Sequence, residues 1–224
     1  MAYYIDLKQI SLDQYKDILK TADLIPSWRI LKENIDRNLE IIKNHKIQNL
    51  EELLNKIKNK DKIQKFAGQS SLSEDYLTVL RRVINGYQPK PNRIRDFPCV
   101  EAEIADKLEA MGFKNTLHLY EAILSPRDRE KLAEKTGVGM DEIIKLAKLT
   151  DLSRIRWVNH TFACVLLEAG YDSAEVVSGA DYQEMYERIK QLNKERGLYK
   201  GNIGAHDMKL CVEAARGLDN DIMW

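Results

Sequence analysis

The residues best suited to hold a ligand lie in LAEKTGVGMDEIIKLAK, residues 132–148. Gly137, Val138 and Gly139 separate two stretches with helical spacing, Leu132 and Ala133 before the turn and Ile143, Ile144, Leu146 and Ala147 after it. Glycine permits the sharp reversal, and Val138 plugs the space between the helices. The amides of Gly139 and Met140 then open a helix and point outward with the positive end of its dipole. That arrangement suits a phosphate, and Lys145 and Lys148 follow on the next turns to add charge. A turn of this kind holds a nucleic-acid backbone without reading bases. Asp141 and Glu142 oppose such a role, and the same turn equally makes a structural link between antiparallel helices.

A second candidate group for holding phosphate is RRVINGYQPKPNRIR, residues 81–95, with Arg81, Arg82, Lys90, Arg93 and Arg95 and no acid. Tyr87 within it is available to stack on a base. A third cluster, NKIKNKDKIQK at 55–65, sets five lysines against Asp61 alone. For lysines by themselves a solvated helix face is the favoured reading. Residues 1–98 hold 18 Lys and Arg against 13 Asp and Glu, while residues 99–224 hold 17 against 22. The formal charge of zero therefore hides a basic first half, of the kind that attracts polyanions.

Other chemistry finds little support. The chain contains no GxxxxGK[ST], GxGxxG, HExxH or GxSxG pattern. His45, His118, His160 and His206 are dispersed, and His160 with Cys164 supplies only two of the ligands a zinc site needs. Cys164 is expected in the core and His160 near a helix start. Cys99, Cys164 and Cys211 are odd in number and scattered, so no disulfide is expected. Glu184 and Glu187 stand beside Arg188 and Lys190, as in surface pairs. The chain reads as no enzyme, with no cofactor, no metal and no small-molecule substrate.

The elements that carry these residues repeat. Residues 35–82 laid on 101–148 pair Asn49 with Asn115, Leu53 with Leu119, Ile57 with Ile123, Ala67 with Ala133, Asp75 with Asp141 and Leu80 with Leu146, an offset of 66. A further offset of 58 carries Val100, Ile104, Leu108, Gly112 and Phe113 onto Val158, Phe162, Leu166, Gly170 and Tyr171. The plugs of the matching turns persist as Leu72 and Ile203, but their glycines are lost wholly in Ser71-Leu72-Ser73 and partly in Asn202-Ile203-Gly204. Each period reads helix, tight turn, helix, helix, tight turn, helix, and no segment alternates as a strand would. Helices are expected at 11–22 with Ser11 as cap, at 28–45, and after the caps Asn49 and Ser73. The expected fold is all-α, three degenerate tandem repeats of helix-hairpin-helix type. The parts are 1–88, a Pro-rich connector at 89–98, 99–155 and 156–224.

In TGVGMDEIIKLAKLTDLSRIRWVN, VLLEAGYDSAEVV and IKQLNKERGL the chain resembles a bacterial family of helix-hairpin-helix-like (SAM-like) domains of unknown function. Thr150, Asp151, Leu152, Arg154 and Ile155 match its ADL-x-R-I junction, with Thr150 in place of alanine. SLDQYKDILKTADLIPSWRILKENID and SEDYLTVLRRVINGYQPKP are similar to an N-terminal part seen with it. The resemblance implies an all-helical fold and transfers no catalytic residue. Two functions remain open: a scaffold binding protein partners, which is favoured, and a module holding a nucleic-acid backbone. The N-terminus MAYYIDLKQI lacks secretory features and no apolar run is long enough for a membrane, so a soluble cytoplasmic protein is expected. The final DNDIMW looks exposed.

Overall fold

The computed structural model describes residues 3–224 and is all-helical, with thirteen α-helices and no β-strand among those residues. No described helix is long and apolar enough to cross a membrane. The chain divides into two compact units, Tyr4–Gln88 and Pro89–Trp224, the latter joined by Tyr3.

The smaller unit contains α1 (Leu12–Thr21), a 3-10 turn at Pro26–Lys32, α2 (Ile35–Asn44), α3 (Leu50–Lys56), α4 (Lys60–Ser70) and α5 (Glu74–Asn85). Ser11 opens α1 with a capping box, its hydroxyl accepting from the Gln14 amide while the Gln14 side chain accepts from the Ser11 amide. The continuous helix expected over 28–45 is broken, because Asn34 sits in the left-handed region at φ 50° and restarts the chain as α2. Its apolar residues still face inward: Leu31, Leu39 and Ile42 are buried.

The larger unit contains a 3-10 turn at Ile94–Asp96, α6 (Ala102–Ala110), α7 (Thr116–Tyr120), α8 (Pro126–Thr136), α9 (Met140–Leu152), α10 (His160–Glu168), α11 (Ala174–Gly179), α12 (Tyr182–Arg196) and α13 (Ala205–Ala215). The segment 89–98, expected as a connector, belongs to this unit: Ile94 and Phe97 are buried, and the Ile94 amide donates to the Lys114 carbonyl.

Helix order recurs through the quartets α2–α5, α6–α9 and α10–α13, and with it the side-chain caps of the second and third helices. The bounds of α4 and α8 differ by 66 at both ends, and those of α6 and α10 by 58 at both ends. Asn49, Asn115 and Ser173 each cap the second helix of a quartet by accepting the amide three residues on. Positive φ recurs at Lys46, Gly112 and Gly170, and again at Ser71, Gly137 and Gly197. In every quartet the last helix packs on the second and third. Leu53, Leu119 and Val177 hold one position of the core and are all fully buried.

The turn between α4 and α5 keeps the shape of that between α8 and α9 although its glycines are gone, whereas the third connection, residues 197–204, is longer and leaves its expected plug Ile203 half-buried. Ser71 adopts φ 61° and Gly137 φ 65°, and the plugs Leu72 and Val138 are both buried. A hydroxyl supports each turn: Ser70 Oγ donates to the Phe66 carbonyl and Thr136 Oγ1 to the Leu132 carbonyl, both at 2.7 Å. The plug amides donate back to those hydroxyls, at 3.4 Å from Leu72 and 3.3 Å from Val138. A left-handed residue other than glycine costs about 1–2 kcal/mol. Gly137→Ala is therefore expected to destabilise by about 1 kcal/mol or more, whereas Ser71→Gly is neutral or stabilising. Urea unfolding of the two variants checks the opposite signs.

Two quartets are entered by a short antiparallel bridge. Leu12 N donates to Gln48 O and Leu50 N to Ile10 O, while Ile94 N donates to Lys114 O and Thr116 N to Asn92 O. In the third quartet the amide matching Leu50 and Thr116 belongs to Ala174. It donates to Asp151 Oδ2 at 2.8 Å, so a buried carboxylate takes the place of the bridging carbonyl.

The cysteines overturn their expectation. Cys99 and Cys164 form a disulfide across a sequence separation of 65, with Cα atoms 6.0 Å apart, inside the normal range for a cystine. Linear spacing carries no sign of it, because the pairing depends on α10 packing close to the residue that precedes α6. The C-terminal end is also less free than expected. Ile222 is buried, and the Met223 amide donates to the Leu124 carbonyl at 2.8 Å.

Candidate interaction surfaces

The hairpin turn exists as expected, but its cations are engaged. Gly139 caps α9 without a side-chain hydrogen bond, and Met140 begins the helix with about a third of its surface exposed. Lys145 lies 3.3 Å from Glu142, and Lys148 lies 2.8 Å from Asp172. Both ammonium groups thus face carboxylates of this chain. The Asp172 pairing joins α9 to the loop ahead of α11, a cross-element contact that helical spacing does not reveal.

The segment 81–95 is divided between the two units. Arg81, half-buried in the smaller unit, donates to the Lys58 carbonyl at 3.0 Å, and Arg82 is exposed. Tyr87 packs edge-on to Tyr15, 6.4 Å between ring centres, and rests against the core. In the larger unit Lys90 and Arg93 are exposed. Arg95 is gripped by Glu109 and Asp106; these hydrogen bonds, the one to Glu109 foremost, raise its pKa and lower that of Glu109.

The junction Asp151–Arg154 forms a buried polar network. Arg154 Nη1 lies 2.9 Å from Asp151 Oδ1, Nη2 donates to the Asp219 carbonyl at 3.0 Å, and the guanidinium sits 5.0 Å from the Tyr120 ring centre. Tyr120 donates its hydroxyl to Asp221 Oδ2 at 2.8 Å. Burial pushes the Asp151 carboxyl above its ordinary range, offset in part by the Ala174 amide and Arg154. Burial likewise raises the Tyr120 phenol, and the hydrogen bond to Asp221 adds to it. Thr150 buries a hydroxyl that lacks a hydrogen-bond partner among the described residues. Arg129 is nearly buried too. It donates to the carbonyls of Ile123 and Met223 and lies 5.5 Å from the Trp224 ring centre. These charges hold chain segments together, and each has its partners inside the fold.

His160 opens α10 and meets Phe97 edge-on at 6.4 Å, while Cys164 is committed to Cys99. Lys190 pairs with Glu187 at 3.4 Å on the surface.

One surface that residue patterns did not single out stands at the start of α10. A cleft of about 200 Å³ is lined by Trp157, Phe162, Tyr199, Ile203 and Met208, with Arg156 and Asp207 at its polar side. Trp157 adopts φ 71°, an outlier for a bulky side chain, and keeps 49 % of its surface exposed. The Arg156 guanidinium lies 4.3 Å from its ring centre, and the Phe162 and Tyr199 rings are 5.7 Å apart. By contrast Trp28 belongs to the core of the smaller unit. The only hint in the sequence is the pair Arg156-Trp157 just ahead of the helix start Val158-Asn159.

A family profile described as Domain of unknown function (DUF4332) matches residues 98–218. These residues include α6 through α13 and both cysteines of the disulfide. No curated protein and no solved structure matches the chain.

Proposed function

The chain belongs to the DUF4332 family, a domain of unknown function, and on that premise we propose that it is a non-catalytic scaffold for a protein partner. In this reading the three quartets are copies of one helix-hairpin-helix-type unit, kept for packing and diversified at the surface. The observation that carries it is the Trp157 cleft. Holding a tryptophan in the left-handed region costs about 1–2 kcal/mol, yet about half of this residue's surface stays exposed. Tryptophan, tyrosine and arginine are the residues that dominate binding energy at protein interfaces. All three line this cleft, with Met208 able to adapt its shape. The partner it suits is a protein segment bearing an apolar side chain of cleft size.

The test uses the full chain as bait, followed by titration of the purified partner. Trp157→Ala is expected to weaken that partner at least about tenfold, a hot-spot loss of about 1.4 kcal/mol or more. Retention of nucleic acid alone, or a partner held equally by the variant, refutes the reading. A nucleic-acid module acting through the Gly137 turn and residues 81–95 is the alternative. The carboxylates on Lys145, Lys148 and Arg95 weigh against it.

A further inference from the structure

We propose that the corner between α3 and α4 binds the phosphate backbone of a nucleic acid, at a site separate from both the Gly137 turn and the Trp157 cleft. The argument begins with a comparison of like positions. Residues 53–73 hold five lysines and one acid, Asp61. The corresponding stretches 119–139 and 177–197 each hold four basic and four acidic residues. The order helix, corner, helix is shared and the charge is not.

The balanced stretches use half of their eight cations in ion pairs or hydrogen bonds within the chain. Lys131 lies 3.5 Å from Asp128, Lys190 lies 3.4 Å from Glu187, Arg196 pairs with Glu168, and Arg129 is spent on main-chain carbonyls. Lys56, Lys58, Lys60, Lys62 and Lys65 form no ion pair among the described residues. All five are exposed. Cations crowded in this way repel one another, and a polyanion relieves that repulsion while releasing its own counterions.

Geometry gathers three of them. Asn59 caps α4 by accepting the Lys62 amide, which fixes the turn between the two helices. Lys62 Nζ reaches back to the Asn55 carbonyl at 2.9 Å, and Lys56 Nζ lies 5.6 Å from the Phe66 ring centre. Asn55, Lys56, Lys62, Lys65, Phe66 and Gln69 thereby line one groove of about 270 Å³. Lysine is a compact point charge that meets phosphate without demanding one orientation, which matches backbone contact rather than base reading.

The face argues against the other polyanions. An anionic membrane surface is held by basic residues together with inserted apolar ones. The exposed large apolar residues among those described are Ile18, Met111, Leu117, Met140, Trp157, Val176, Met223 and Trp224, none of them here. An acidic peptide gains specificity from apolar anchors beside its charges, but the one aromatic ring lining this groove, Phe66, is 1 % exposed and covered by Lys56. A chain of evenly repeated phosphates needs only the row of cations.

Fluorescence anisotropy with labelled single-stranded and duplex DNA of about 20 nucleotides tests this on the full chain. Binding is expected at about 50 mM salt, with a log–log salt slope of about −3 or steeper on duplex. The triple change Lys56→Gln, Lys62→Gln, Lys65→Gln is expected to weaken binding about tenfold or more for all sequences and to flatten the slope. Arginine in place of the three lysines retains it, and Lys145→Gln with Lys148→Gln leaves it unchanged. Amide shifts of the unaltered protein on adding the oligonucleotide should cluster within 55–69, a readout that no variant's folding can spoil. The proposal is overturned by absent binding at low salt, by a triple variant that binds as well as the parent, by shifts centred elsewhere, or by tighter binding to phosphatidylserine vesicles or polyglutamate. None of these outcomes bears on the Trp157 cleft, so the two readings fail independently.

Discussion

Asp151→Ala is expected to destabilise the larger unit by about 3–5 kcal/mol, the cost of leaving a buried charge without its partner. The carboxylate does two jobs at once. It neutralises Arg154, 2 % exposed at the side chain, and it accepts the Ala174 amide at the start of α11. Removing it leaves a buried guanidinium held only by carbonyls and the more distant Asp221, and it orphans an amide that elsewhere finds a backbone carbonyl. Asp151→Asn keeps an acceptor for Ala174 but loses the charge, so it should fall between wild type and alanine. Changing Asp151→Leu and Arg154→Met together should cost clearly less than the sum of the single changes, because apolar groups of similar size need no partners. Urea unfolding followed by circular dichroism provides the measurement. A loss below about 1 kcal/mol for Asp151→Ala, the scale of an average substitution, would falsify the role assigned to this pair.

That network marks the boundary of what the residues disclosed by themselves. The helices were legible because Leu53, Leu119 and Val177 occupy one buried position, and apolar spacing reports burial directly. Caps were legible at Asn49 and Ser73, since short polar side chains ahead of apolar runs have one common use. The left-handed Ser71 was not, because serine gives no sign that a neighbouring hydroxyl and a buried plug will hold its backbone there. Asp151 reads as one more surface acid on a helix until the missing bridge of the third quartet is seen. The hairpin lysines looked available for the same reason that Asp172 looked unrelated: ion pairs between elements depend on packing, not on spacing. Trp157 gave least warning, since nothing in a residue name tells whether its ring is inside or displayed.

Reduction of the Cys99–Cys164 bond, or Cys99→Ser, should lower the stability of the larger unit by about 4 kcal/mol. The bond closes a loop with a sequence separation of 65, and the chain-entropy relation for a loop of that size gives this value at room temperature. The link also joins the entry to α6, beside the buried Phe97, to the middle of α10, so the native segments it ties are already packed. Cys99 is the better site for substitution because it is half-buried, whereas serine at the buried Cys164 would add an unmet hydroxyl to the loss. In melting temperature the shift should be roughly 10–15 °C. Thiol titration supplies the chemical control. Burial pushes the Cys211 thiol up to about 12, which keeps it from reacting in the folded chain near neutral pH. The native protein should then show no titratable thiol, the unfolded unreduced chain one from Cys211, and the unfolded reduced chain all three. Three thiols without reductant, together with a melting point indifferent to reductant, would mean that the two cysteines merely touch.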